Sequence, residues 1–434
     1  MSEKKNIKKG VKKNIDENIF ESGAPLQIQT DFKIVNKNIK KIEGPGLVTG
    51  KPMFTDDIDI HGMLYAKILT SPYAHAEIIN IDVSGAEKIP GVKAVLTYKD
   101  LPRIVHTTAG QGYPEPSPYD SFTLDKKVRF VGDRVAAVAA ETLEAAEEAI
   151  EAIKVEYKIL QPVLDPLLAQ KKGAPVIHDE KEAAMIIPLA YDKNKNLAAH
   201  AEMSEGDVES ALANSDRVFE HVYESHYAQH CPMEPHVCIT HLDPCNRLNI
   251  RTSTQVPFHT RRIVAQALDI PVKRVRVIKP RIGGGFGCKQ EMLIEDICAA
   301  LTLKTKKPVR LEYTRKEEFM SARTRHPQHI TLRTGIDKTG VMTAIDMNIV
   351  MNTGAYGSAA LTVLCNSASK VLPLFNKVKD IRFYGDSVYT NLPVGGAYRG
   401  YGATQAYQAI GQQVDIMCRE MGIDIIEFYK KHHI

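Results

Sequence analysis

No apolar run in the 434-residue sequence approaches the roughly 18 residues that a membrane-crossing helix requires, and the N-terminus has no apolar core of the signal-peptide kind. The protein is therefore expected in the cytoplasm and off the membrane. A paired-cysteine motif is missing as well. The seven cysteines (Cys231, Cys238, Cys245, Cys288, Cys298, Cys365, Cys418) are odd in number and scattered, with no C-x-x-C, which argues against a disulfide framework and against iron–sulfur or ribbon-type zinc sites on this chain. The one dense cluster, "HYAQHCPMEPHVCITHLDPC", reads through a strand at "HVCIT". There Cys238 and His241 point to opposite faces, so a shared metal is disfavoured against ordinary packed cysteines. A strong charge of one sign is also lacking. The formal charge is +4, but six lysines and one glutamate in the first thirteen residues leave the remainder near −1, so the body is not a nucleic-acid surface. The basic end reads as a solvated tail, with an anionic partner as the alternative.

What the sequence does have is 44% hydrophobic and 25% charged residues, ordinary for a soluble protein of two or three domains. Residues 1–40 form a polar, lysine-rich tail. Residues 41–165 alternate short β-rich runs ("MLYAKILTS", "RVAAVAAE") with "TLEAAEEAIEAIKVEY", whose alanines and acids fall at helical spacing. A proline-punctuated connector spans 166–199, and a larger α+β unit spans 200–434. In that unit strand, glycine turn and helix occur twice in succession: "RVRVIKPRIGGGFGCKQEMLIEDICAALTLKT", with a helix expected from Lys289 to Leu303, and "NLPVGGAYRGYGATQA". Glycine turns let backbone approach a ligand or another chain segment closely, and a helix start adds outward N–H groups; a tight turn with core tyrosines is the plainer alternative. Neither turn carries G-K-[ST], and Cys288 stands where a third dinucleotide-binding glycine would fall, so no nucleotide fingerprint is met. A third loop, "TSTQVPFHT", sets Gln255 at its apex, fitting either a loop-capping amide or a ligand-facing donor.

"STQ" at 253–255, "GGGFGCKQ" at 283–290 and "GAYRGYG" at 396–402, in that order, together with "GKPMFTDDIDIHGMLYAKILTSPYAHAEIINIDVSGAEKIPGVKAVLT", resemble the molybdenum-cofactor subunit of the xanthine dehydrogenase and aldehyde oxidase family across about residues 45–434. The resemblance implies an α+β chain: a hammerhead-type α/β domain followed by a mixed α+β molybdopterin-binding domain. It implies a molybdenum–pyranopterin cofactor, possibly as a dinucleotide, contacted by Gln255, Gly285, Phe286, Gly287, Arg399 and Gly400. Of these, Gln255, Phe286 and Arg399 would meet the metal's oxygen ligands without ligating it, and Gln290, Tyr398 and Tyr401 would face a flat substrate. Tyrosines stand where the eukaryotic enzymes carry phenylalanine.

The implied reaction hydroxylates an electron-poor carbon with water-derived oxygen. A purine such as xanthine or hypoxanthine is the first choice of substrate, with nicotinate, other N-heterocycles, aldehydes and 4-hydroxybenzoyl-CoA as alternatives. A cysteine expected in carbon-monoxide-oxidising relatives is missing from "AYRGYG". The family's general-base glutamate, in a "GxGE"-like motif, is also not in this sequence. The chain therefore reads as the N-terminal half of a split cofactor subunit or a truncated product, with no catalytic residue of its own. A second molybdopterin subunit would supply the base, and iron–sulfur and FAD subunits would take the electrons. A noncatalytic remnant is the reading from a different class.

Overall fold

The structure is a computed structural model that describes residues 33–35, 37–109 and 112–432. Most of the tail reading for residues 1–40 lies outside the described residues. The chain falls into two units, Met1–Pro52 and Met53–Ile434. In the first, a single-turn helix, Gly44–Val48, starts with a proline in its first turn, where a missing N–H costs nothing.

The second unit is built on three sheets. One contains seven strands in the order β11-β10-β9-β12-β1-β5-β3: Leu64–Thr70 (β1), Val92–Leu96 (β3), Arg134–Ala140 (β5), Val237–Leu242 (β9), Leu248–Thr252 (β10), Val275–Ile278 (β11) and Val309–Glu312 (β12). Another orders Leu197–Glu205 (β7), Asp380–Tyr389 (β15), Met342–Gly354 (β14), Gln328–Ile336 (β13) and Arg217–Glu224 (β8) side by side. The smallest sets Ala76–Asp82 (β2) between Lys127–Val128 (β4) and Lys154–Ile159 (β6). The α+β class expected from the sequence is what forms.

β1 pairs in parallel with β12, Leu64 opposite Val309, so one sheet draws strands from both of the segments that the sequence suggests as separate units. β5, "RVAAVAA", is buried along nearly its whole length and carries alanines, which let a helix lie close on the sheet. That helix, Leu143–Ala152, is capped by Thr142, whose side chain accepts from the Ala145 N–H.

Two large apolar cores result. The first packs the helices Pro257–Ala267 and Glu295–Thr305 on the seven-stranded sheet through Ile263, Val264, Ile297 and Leu301. The second packs the helices Ala360–Ser369 and Ala403–Met421 on the five-stranded sheet through Val363, Leu364, Ala406, Ile410 and Val414. The 160–196 stretch holds only the helix Pro166–Ala169 and a 3₁₀ turn, Lys193–Lys195, among these elements. Among the described residues no helix is long and apolar enough to cross a membrane.

One expectation is corrected. The helix expected to start at Lys289 starts at Glu295. Residues 289–294 are spent on tertiary contacts instead: the Lys289 carbonyl accepts from the Gln255 N–H, Met292 N–H donates to Thr108, and the Glu295 carboxylate accepts from the N–H groups of Leu293 and Ile294. Those bonds compete with the helical ones, and a helical residue order alone does not outweigh them.

Candidate functional site

Four strand-to-helix connections converge on one side of the second unit. β10 leads through residues 253–256 into the helix Pro257–Ala267, with Gln255 at the apex. β11 leads into the turn 283–287, β14 into the helix Ala360–Ser369, and β15 into residues 391–402 and the helix Ala403–Met421. Between them lies a cavity of about 760 Å³, lined by Gln255, Phe286, Gly287, Gln290, Tyr398, Arg399, Gly400 and Tyr401, with Ala109, Thr362 and Asn366 also on its walls. Gly285, the remaining residue expected at the site, lies directly behind: a Cβ there would come within 2.5 Å of Gln255 Oε1.

The two glycine turns lock onto each other through backbone. Arg399 N–H donates to the Phe286 carbonyl at 2.8 Å. At Gly287, where φ is +112°, any side chain would overlap the Ala397 carbonyl, so the contact requires glycine for space as well as for conformation. Phe286 and Tyr401 adopt left-handed backbone (φ +52° and +50°), unusual for bulky residues and sustained only where surroundings over-determine it.

Side chains hold the turns from behind. Gln255 Oε1 accepts from Gly287 N–H at 3.0 Å, so the end of its amide offered to the cavity is the NH₂ donor. Fully buried Lys289 donates to the Glu234 carboxylate at 2.7 Å, and the same carboxylate accepts from Gly283 N–H at 2.9 Å. Cys288 Sγ donates to the Gly285 carbonyl at 3.0 Å; burial, with Glu318 nearby, pushes this thiol up to about 12, so it stays protonated.

Tyr398 is clasped between the His230 ring (centroids 3.9 Å apart) and the Arg325 guanidinium (3.9 Å above the ring), while Arg325 also donates to the carbonyls of Tyr398 and Arg399. His230 Nε2 meets the Ala397 carbonyl at 2.8 Å as a donor, and burial brings its imidazole down to about 4, hence neutral. Tyr401 lines the cavity but shares its hydroxyl with Thr362 at 3.0 Å, and part of its ring packs against the second core.

Sequence reasoning missed His230, Arg325, Thr362 and Asn366. A signal for the last two is present: "NTGAYGSAALTVLC" is another strand, glycine turn and helix in the same pattern as the two that were noticed. His230 and Arg325 reach the site only through space.

The chemistry of the lining fits a cofactor that brings its own metal ligands. Among the described lining residues there is no thiolate, imidazole or carboxylate, while the Gln255 amide, the Arg399 side chain and the N–H groups of Phe286 and Gly400, which meet no acceptor within the described protein, are all donors. Such a set suits the oxygens of an anionic pterin–metal group and could not itself ligate a metal.

Comparison with known proteins agrees with that chemistry. Residues 190–432 match the family described as "Molybdopterin cofactor-binding domain", and residues 49–161 match "Aldehyde oxidase and xanthine dehydrogenase, a/b hammerhead domain". The chain is 40% identical over 427 residues to the "Probable hypoxanthine oxidase XdhD" of Escherichia coli O157:H7, spanning 93% of this chain and 44% of that protein. It is 32% identical over 397 residues to the "Nicotinate dehydrogenase large molybdopterin subunit" of Eubacterium barkeri, spanning 92% of this chain and 88% of that subunit. In fold it superposes on the aldehyde oxidoreductase of Desulfovibrio gigas with a TM-score of 0.80 at 24% identity, covering 91% of this chain and 43% of that one. The chain thus spans less than half the length of the hypoxanthine oxidase relative and most of the nicotinate dehydrogenase subunit. With the glycine-turn site and both domain matches in agreement, the chain belongs to the molybdopterin-binding family of the aldehyde oxidases and xanthine dehydrogenases.

Proposed function

We infer that this chain is the cofactor-binding component of a cytoplasmic molybdenum hydroxylase acting on a purine, xanthine or hypoxanthine, or on a related N-heterocycle such as nicotinate. The observation that carries the reading is the donor-rich cavity framed by two interlocked glycine turns, with Gln255 aimed into it. Relatives with hypoxanthine, xanthine and nicotinate in their names support the substrate class. The domain division is proposed as 41–165, 166–199 and 200–434.

When bound, a pterin-held molybdenum supplies the two-electron chemistry that places water-derived oxygen on carbon. The residues of this chain bind and orient. Gln255, its oxygen fixed by Gly287, would donate its NH₂ to an oxygen ligand of the metal, and the N–H groups of Phe286 and Gly400 would meet the cofactor's oxygens. Gln290, Tyr401 and the clasped Tyr398 would orient a flat ring. Because the described lining holds no carboxylate or imidazole, the base that takes the proton of the water-derived oxygen would come from a partner. That partner corresponds to the other half of the longer relatives, and a curated subunit of nearly this length supports such a division. Iron–sulfur and FAD subunits would carry the electrons away.

The test is reconstitution. The chain expressed alone should hold little molybdenum and no hydroxylase activity, and co-expression with a polypeptide matching the remaining length of the longer relatives should restore both. In that complex Gln255→Ala should keep the fold and lower turnover by about 10- to 100-fold. A complex loaded with molybdenum in which Gln255→Ala turns over normally would return Gln255 to a loop-capping role. A complex that never acquires molybdenum would favour a noncatalytic remnant.

A further inference from the structure

The walls of the cavity come from five separate stretches of chain, and all but the one that carries Gln255 abut one carboxylate that does not line it. Glu291 follows Gln290 directly and is 3% exposed. Its Oε2 accepts from Thr108 Oγ1 at 3.0 Å and from Arg323 Nε at 2.5 Å; its Oε1 accepts from Ser358 Oγ at 2.5 Å. Thr108 adjoins Ala109 of one wall. Ser358 stands two residues ahead of the helix Ala360–Ser369, which presents Thr362 and Asn366. Gly396 adjoins Ala397 of the last wall, and its backbone lies so near that a Cβ would come within 2.7 Å of Glu291 Oε1. Arg323 closes the ring, its Nη2 donating to Thr108 Oγ1 at 2.9 Å. Burial opposes ionisation of Glu291, but Arg323 and the two hydroxyls outweigh it and hold the carboxyl below its usual range. An ionised, fully occupied carboxylate makes stronger bonds than a neutral group of the same shape could.

We propose that Glu291 is the positioning residue that fixes these four of the cavity's walls relative to one another. This rests on reading the cavity as a heterocycle site. Since Glu291 touches no part of the cavity itself, it should govern how well a flat ring fits more than how fast the fitted ring reacts.

Glu291→Gln keeps the shape, removes the charge and leaves Arg323 buried without its counter-ion; Ser358→Ala removes only the tether to the helix Ala360–Ser369 and serves if the first variant does not fold. Both should be made in the protein purified together with its partner subunits. Hydrogen exchange should quicken at least about tenfold in Glu291→Gln across residues 106–109, 286–290, 356–366 and 395–401 together, and in Ser358→Ala across 356–366 alone. With xanthine, hypoxanthine and nicotinate as probes, KM in Glu291→Gln should rise about tenfold while kcat stays within about threefold and molybdenum content is unchanged. Val414→Ala, a cavity-forming change in the core of the helix Ala403–Met421, is the control: it should lower thermal stability and leave KM in place. Faster exchange confined to the neighbours of residue 291, or loosened walls with unchanged KM, would overturn the proposal. If the wild-type complex turns over none of the three compounds, the heterocycle reading fails on its own, and the exchange pattern across the four walls still decides the role of Glu291.

Discussion

The two glycine turns present similar backbone to the same cavity but are held there by different forces. Turn 283–287 is held by polar side chains: Glu234 on Gly283 N–H and on buried Lys289, and Gln255 on Gly287 N–H. Turn 395–402 also takes side-chain hydrogen bonds, from His230 and Arg325 to its carbonyls, but among the described residues no carboxylate holds it and its glycines are fixed by shape. The His326 ring lies where a Cβ of Gly395 would go, 2.5 Å from its Cδ2, and the Val363 carbonyl fills the place of any side chain on Gly402, where φ is +98°. The first turn should therefore answer to loss of its carboxylate and the second to added volume. In neither case are the tightest glycines clearing room for a ligand; they let one piece of protein touch another, and the cavity-facing donors are a by-product of that contact.

The sharpest way to break the second turn is Gly402→Val, which puts a β-branched side chain into both a forbidden φ and an occupied space. No folded protein should be recovered, with soluble yield and circular dichroism as the check. The first turn should break through charge. Glu234→Ala strands the Lys289 ammonium in the interior and should cost about 3–5 kcal/mol in urea unfolding. Recovering part of that loss with Glu234→Ala/Lys289→Met would show that the stranded charge, and not the turn geometry, is responsible.

Acid should sharpen the contrast with a smaller effect. Burial brings His230 and His326, both packed under the second turn, down to about 4. Their neutral state costs nothing above an unfolded pKa near 6.5. Below it the unfolded chain takes up protons that the folded one refuses, so stability falls steadily until pH reaches about 4. Between pH 6.5 and 5.5 the loss should be about 1 kcal/mol for each histidine, measured by urea unfolding. His230→Gln should remove about 1 kcal/mol of the loss over that interval, whereas Glu234→Ala should leave the loss unchanged.

Much of the site was legible because its elements are local patterns. Strand, glycines and helix follow one another in the chain, so Gln255, residues 283–290 and residues 396–402 can be picked out from period and turn chemistry. The start of the helix Glu295–Thr305 was misplaced by six residues because Lys289 and Met292 bond to Gln255 and Thr108, partners that local propensity does not see. Tyr398 and Tyr401 look equivalent in "AYRGYG", yet one ring is clasped between an imidazole and a guanidinium and the other ties its hydroxyl to Thr362.

By itself, then, the sequence determined the α+β class, the strand–turn–helix frames and the donor-rich residues at their tips, since backbone conformation and hydrophobic period are set by near neighbours. Which walls those tips face was decided only in three dimensions. β1 joins a sheet with strands some 170 to 250 residues further along, and Glu291 gathers Thr108, Arg323 and Ser358 from positions far apart in the chain. Burying a carboxylate is tolerable only when charge and hydroxyl partners arrive from such distant segments to satisfy it, and no local pattern records that requirement.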